Sequence, residues 1–582
     1  MPYWPGSNWD SGVTLIENGS QEVMGEGGVV NACLGVLGKC VACFGGLGLS
    51  LIAPYPMKTP LPIPDPTPHV PEELHTGGIG GHPKGLSNLF FAELWERFSY
   101  YGMRALLMLF MIAPMAAGGL GFTQPQASSV YGNYVMSSYM LCILGGFIAD
   151  NFIGARRAVL IGGFIITAGH YTLALNSVAT FYVGLVLIAV GTGLLKPSIS
   201  TLVGGLYART DARRDAGFSL FYMGINIGAF AAPLVTGYLA QDEGFKQVLV
   251  GWGLDPLHSW HWGFGAAGVG MTLGMWVYVR RLNWIRHVGD APEAHHKRPW
   301  ERLALVALGT IALLYLMMQS DRKDSFLVPF IDRSFSLAWQ PIPYIWLAYT
   351  IYSLPVLVVL YFGVFRKDED SKRIAAIGVF FIAAVLFWAV FEQAGTSLTL
   401  FADELTRTEL LGLPFPSSWF QSVNALFVIA LAPVFAWLWV TLGTRQPSVA
   451  LKFVFGLIFL GLSFALMVPA AQGIVAGKVS PWWLIGVYFL QTLGEMCLSP
   501  VGLSTMSKLA PARLTGLVLG VWFLATALGN KLSGTLSADF SSKDPVALSH
   551  FFSNQAYVVG AVALVLLALV PWVRHLMGKE HH

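Results

Sequence analysis

The chain has 582 residues, 55% of them hydrophobic and only 12% charged, and its mean hydropathy is +0.60. Soluble domains carry roughly 25% charged residues, so the composition excludes a string of ordinary soluble domains, and nothing in it suggests nucleic-acid binding. The formal net charge of +3 is uninformative as a sum; its distribution along the chain is not.

Residues 1–85 differ from the rest. A moderately apolar run from about Val29 to Ala53 is followed by the Pro-rich stretch APYPMKTPLPIPDPTPHVPEELH, which reads as an extended tail. The apolar run lacks the basic start and cleavage site of a signal peptide. A translation start at Met57 would remove it. Cys40 and Cys43 form a CxxC, but there is no second pair or nearby His to make it a metal or redox site. No cofactor and no metal are expected.

Apolar stretches long enough to cross a bilayer then recur to the C-terminus. They fall at 86–115, 127–149, 157–176, 179–203, 216–240, 262–281, 302–320, 343–365, 375–402, 417–441, 450–472, 482–506, 515–538 and 552–576. No alternating ten-residue pattern of a barrel is present, so the spans are expected to be helices that satisfy their own backbone hydrogen bonds. Basic residues cluster in alternate links: Arg156 and Arg157; Arg209, Arg213 and Arg214; Arg280 to Arg302; Arg366 to Arg373; Arg445 and Lys452; Lys508 and Arg513. The positive-inside rule makes that side cytoplasmic, together with both termini. The spans at 302–320 and 343–365 lie between two sets of six. The expected organisation is therefore an N-terminal tail (1–85), a six-helix bundle (86–281), a linker with two inserted helices (282–374) and a second six-helix bundle (375–582). Two halves around a central site are a common transporter plan.

The first span contains FAELWERFSYYGMRALLMLF. Glu93, Glu96, Arg97, Tyr100, Tyr101 and Arg104 are spaced by three, four, seven, eight and eleven from the first, which puts them on one helical face. A charge at the bilayer centre costs roughly 2.5 to 3.5 kcal/mol on insertion scales, so these groups must face partners or water inside a bundle. They could form a structural ion-pair network, or a proton relay with an anion clamp. Lys196, Glu392 and Glu495 interrupt other apolar spans. Lys196 precedes Pro197, expected to kink or break its helix; a lysine snorkelling to the interface is the other reading. Arg97 and Lys196 in one half and Glu495 in the other suit a zwitterion, with the carboxylate on the bases and the ammonium on the acid. Asn226 and Asn424 could bind an amide or amino end, and Tyr100, Tyr101, Tyr139, Trp388 and Trp522 could wall a pocket.

At these residues the chain resembles the proton-dependent oligopeptide transporter family of the major facilitator superfamily, over roughly 86–576. The resemblance is carried by Glu93-Leu-Trp-Glu96-Arg97-Phe98, by Tyr100-Tyr101-Gly102, and by FYMGINIGAF at 221–230. It implies a major facilitator fold with fourteen transmembrane helices, in the order six, two, six. It further implies that Glu93, Glu96, Arg97 and Lys196 couple proton movement, and that Arg97, Tyr101, Tyr139 and Lys196 hold a peptide's carboxyl end. Asn226, Asn424 and Glu495 would hold its amino end, with Ser499 nearby and Trp388 walling the pocket. Arg104 and Glu392 would close an outer gate. GGFIADNFIGARR resembles the superfamily's loop after the second helix, with Asp150, Arg156 and Arg157 at a gating contact.

The function so implied is symport of di- and tripeptides with protons across the cell inner membrane, by a monomer. A nitrate, sugar or drug carrier on the same scaffold is the alternative, against which the acidic groups of both halves weigh. A membrane enzyme is disfavoured: His258 and His261 in HSWHW have no matched third ligand.

Overall fold

The computed structural model describes residues 76–208, 211, 213–291, 299–319, 357, 361–362, 368–410, 412–510 and 515–578. The first 75 residues, with the Pro-rich stretch and the CxxC, lie outside this set, as does nearly all of the expected span at 343–365.

Thirteen long helices are present among the described residues. Six precede the inserted segment: α1 (Lys84–Ile112), α2 (Gln124–Ile148), α3 (Ala155–Leu173), α4 (Val178–Gly205), α5 (Arg214–Gln241) and α6 (Ser259–Arg280). One belongs to it, α7 (Trp300–Gln319). Six follow: α8 (Glu369–Phe391), α9 (Phe420–Leu442), α10 (Val449–Gly473), α11 (Trp482–Leu509), α12 (Thr515–Ser537) and α13 (Pro545–Met577). Eight segments built on these helices are long, apolar and charge-poor enough to cross a membrane by composition. Helix α1 is not one of them, because each 18-residue window in it holds at least three of Lys84, Glu93, Glu96, Arg97 and Arg104. The polar face that carries its chemistry also hides its hydrophobic signature.

Helix starts follow local chemistry. Thr123 and Gln126 form a reciprocal capping box at α2. Ser177, Asp368, Ser448 and Asp544 accept amide hydrogen bonds at the starts of α4, α8, α10 and α13. The last of these corrects the expected span at 552–576: with Asp544 as cap and Pro545 in the first turn, the helix begins at Pro545. The tail also ends earlier than expected. Ile79 N–H donates to Ser87 Oγ at 3.0 Å, and buried His82 meets the Tyr207 hydroxyl at 2.8 Å, so 78–83 pack onto the bundle.

The two sets of six pack by one scheme. In the first, α1 packs on α5 and α6, α2 on α4, and α3 on α4 and α6; in the second, α8 packs on α12 and α13, α9 on α11, and α10 on α11 and α13. The halves meet through α2 with α12 and α5 with α9, contacts that the same correspondence exchanges. A repeat only faint in the sequence is thus plain in the packing. Seams without side chains allow the closest approaches. On α3 and α4, Gly162 and Gly169 face Gly191 and Gly184; a Cβ on Gly191 would lie 2.6 Å from the Gly162 carbonyl oxygen. Gly132 of α2 likewise meets Gly534 of α12.

Two local expectations, at Pro197 and at Glu392, meet different outcomes. Pro197 does not break its helix: α4 runs from Val178 through Gly205. Proline cannot bond the carbonyl one turn back, that of Gly193, and this carbonyl lies against Gly145 of α2, where a Cβ would come within 2.1 Å of its oxygen. The span expected at 375–402 is instead interrupted. Helix α8 stops at Phe391, a tighter turn covers Glu392–Gly395, and Thr396 leaves helical geometry before Ser397–Leu400 resumes it. A two-stranded hairpin, Glu409–Leu410 with Leu413–Pro414, departs from the all-helical plan in the link before α9.

Candidate functional site

Helix α1 is buried along most of its length by α5 and α6, and its charged face supplies one wall of the site. Arg97 lies between two acids of its own helix: its Nε is 3.1 Å from Glu93 Oε1, and it donates to Glu96 Oε2. All three are at most 4% exposed. The pairing is incomplete, because Glu93 Oε2 and Arg97 Nη2 are buried without hydrogen-bond partners. One guanidinium facing two carboxylates is a triad with a free donor and a free acceptor, so either a proton or a new anion can rearrange it.

Lys196 departs from a simple ion pair. Its ammonium sits 3.8 Å from the centroid of the Tyr139 ring, a cation–π contact between α4 and α2. No carboxylate lies within ion-pair distance of it among the described residues. Arg97 and Arg104 reach over Tyr100 and Tyr101 in the same way. The basic wall is thus lined by π-faces.

In the second half, Asn424 of α9 donates to Glu495 Oε2 at 3.2 Å and to Thr492 Oγ1 at 3.0 Å, both on α11. The structure brings Asn424 and Glu495 together and adds Thr492, one turn before Glu495, which sequence reasoning missed. Asn226 instead donates to the Tyr222 carbonyl of its own helix. Trp388 packs edge-on against Phe387 and Phe391, with its buried indole N–H unpartnered. Ser499 is partly buried on α11, one turn after Glu495.

Arg104 of α1 forms an ion pair with Glu392, and the Tyr131 hydroxyl of α2 accepts from its Nε. The break after α8 places Glu392 there. Tyr131 has no charge or spacing that singles it out in the sequence. Nearby, Gln124 Nε2 donates to the Ser537 carbonyl at 2.7 Å, and Lys531 Nζ to Asn133 Oδ1 at 2.6 Å. On the other flank, Gln241 Nε2 donates to Ser417 Oγ at 3.0 Å, and Ser422 Oγ to the Phe230 carbonyl at 2.7 Å. These bonds join the halves at the end away from the basic links. At the opposite end, a cavity of about 1020 Å³ opens below Tyr222.

Arg156 pairs with Asp290, in the link after α6, and donates to the carbonyls of Ile285 and Val288. Asp150 is exposed on the turn Ala149–Ile153 and is not the partner of Arg156; no ion pair of Arg157 is found among the described residues.

Comparison with known proteins agrees with this architecture. Residues 156–547 match the POT family. The peptide transporter YePEPT of Yersinia enterocolitica subsp. palearctica is 39% identical, over 86% of this chain and 96% of its own. A di-/tripeptide transporter of Lactococcus lactis subsp. cremoris is 33% identical, over 86% and 97%. Among solved structures, a mutant peptide transporter POT in complex with alafosfalin superposes with a TM-score of 0.72 at 38% identity, covering 87% of this chain and 98% of that one. A POT family transporter in complex with 5-aminolevulinic acid gives 0.70 at 31%, covering 85% and 98%. A helical scaffold of two matched halves, ionisable groups facing inward from both, and this extent of similarity place the chain in the POT family of transporters.

Proposed function

We propose that the chain imports di- and tripeptides together with protons, by alternating access of one central site. The observation that carries this reading is the buried triad of Glu93, Arg97 and Glu96 on α1, set in a bundle whose other half offers Glu495 held by Asn424. The bases suit a peptide carboxylate, and Glu495 suits its ammonium. Protonating one acid of the triad weakens its hold on Arg97, which then accepts the peptide carboxylate. Loss of that proton on the cytoplasmic side restores the internal pair and expels the peptide. Lys196, parked on Tyr139, is a second cation available to the same carboxylate.

The names of the relatives, peptide transporter and di-/tripeptide transporter, support this substrate class. Sidedness follows from the basic links, which put both termini in the cytoplasm; the conformation is then inward-facing, with the Arg104–Glu392 pair on the outer side. The transport unit is a single chain in the cell inner membrane, since both walls of the site come from one polypeptide.

The test is uptake of labelled dialanine into liposomes bearing the purified protein, with and without an inward proton gradient and a negative interior. Gradient-dependent uptake, competed by tripeptides but not by free amino acids, is expected. Folded protein that moves other solutes but no dipeptide would move the substrate to another class.

A further inference from the structure

The cavity of about 1020 Å³ lies beside the central site, and its chemistry is one-sided. It begins at Tyr222, one turn from Asn226, and at Met496, the neighbour of Glu495, and it runs to the ends of α11 and α13. Lys452, Lys508 and Arg574 line it, with no acidic residue in its lining among the described residues. Basic residues on this side are expected from topology alone, but such residues normally lie in water. Lys452 does not: it is 8% exposed, its Nζ donates to Gln446 Oε1 at 2.9 Å, and it stands 4.1 Å from the centroid of Trp439. A buried ammonium whose described partners are a neutral amide and a ring retains most of its attraction for an anion.

The geometry points to a second anion subsite at Lys452, Lys508 and Arg574, which receives a carboxylate of the departing peptide on its way to the cytoplasm. This rests on the peptide reading above. Its occupant is a carboxylate-bearing solute rather than a lipid headgroup, because the cavity reaches Tyr222, whose carbonyl accepts from Asn226, and Met496, next to Glu495. Release then runs down a ladder of cations, from Arg97 to Lys452 and on to Lys508 and Arg574 at the mouth. A peptide with an acidic side chain presents two carboxylates to that ladder and is favoured from the cytoplasmic face over its neutral isostere.

The test uses inside-out membrane vesicles, whose outer surface is the cytoplasmic one. Exchange of lumenal labelled dialanine against external alanyl-glutamate is compared with exchange against alanyl-glutamine, and the ratio of half-saturating concentrations is read. Wild type is expected to favour alanyl-glutamate, less so as salt rises. Lys452→Gln with Lys508→Gln should cut the preference by about 3- to 10-fold, while the corresponding Arg substitutions keep at least half of it. Lys508→Gln alone, at the exposed mouth, gives a smaller loss and guards against misfolding of the Lys452 variant. A ratio unchanged between wild type and the double Gln variant overturns the subsite. So does a rise in the melting temperature of purified protein with phosphatidylglycerol that the double variant abolishes while the ratio stays put, which would assign the cations to lipid. Wild-type vesicles that exchange no dipeptide at all would overturn the peptide reading itself, and the subsite with it.

Discussion

Replacing Glu96 by Gln tests the coupling scheme most directly. At an effective dielectric constant near 20, opposite charges about 3 Å apart attract by about 5 kcal/mol before desolvation, and Arg97 Nε stands 3.1 Å from Glu93 Oε1 with Glu96 also in contact. Neutralising either acid therefore changes the hold on Arg97 by an amount comparable to the driving force. One proton entering against 100 mV and one pH unit supplies about 2.3 plus about 1.4 kcal/mol, enough for accumulation of several hundred-fold. Glu96→Gln leaves Arg97 with one acid and fixes the side chain at 96 in a proton-loaded-like charge state. The expected outcome is that exchange of labelled for unlabelled dialanine persists, while accumulation against a gradient falls from several hundred-fold towards unity. Both are read in the same liposomes, the first without and the second with the gradient. Accumulation by Glu96→Gln equal to wild type would refute the assignment of coupling to this triad.

Three further outcomes are expected. Arg104→Ala and Glu392→Ala, combined in a double-mutant cycle and read from the distance between spin labels at exposed Met115 and Leu413, should show a coupling above about 1 kcal/mol on the outer gate; strictly additive effects would remove the pair as a gate. Glu495→Gln should raise the KM for dialanine by about 10- to 100-fold, since a hydrogen bond to a charged group contributes about 1.5 to 3 kcal/mol, and an unchanged KM would displace Glu495 from the amino-end site. Gly191→Leu should lower the melting temperature markedly, because its Cβ alone would fall 2.6 Å from a backbone oxygen of α3, whereas Gly309→Ala on α7, with open space around it, should leave stability unchanged or slightly raised.

The helical plan and the first-helix triad were legible because charges inside apolar spans are rare and their spacing fixes a face. Glu93, Glu96 and Arg97 needed only the 3.6-residue period to be grouped. Tyr131, Thr492 and Asn133 were invisible for the opposite reason: they are ordinary neutral residues whose roles arise from partners on distant helices. The break at Glu392 was hidden because its flanks, WAVF and SLTLF, are as apolar as any helix, so hydropathy runs across the discontinuity. Lys196 stood out in the sequence as a charge within an apolar span, but its rest position on Tyr139 depends on how α2 and α4 approach, which the Gly193 carbonyl and Gly145 set together. Helix ends were missed where a cap lay beyond the apolar run, as at Asp544.

The exchangeable joints of α2 with α12 and α5 with α9 have a mechanical consequence. At Gly132 and Gly534 the first joint brings backbone against backbone, leaving little soft side-chain padding to compress. Such a joint behaves as an axle. On α2, Gly132 stands eight residues from the Arg104–Glu392 end and sixteen from the basic-link end, about 12 and 24 Å, so rocking each half by about 15° there would sweep the first tip through about 3 Å and the second through about 6 Å. The two tips of one half move in opposite directions, so a stroke that separates Arg104 from Glu392 draws the halves together at the basic-link end, and access to both faces at once is excluded by leverage rather than by a separate lock.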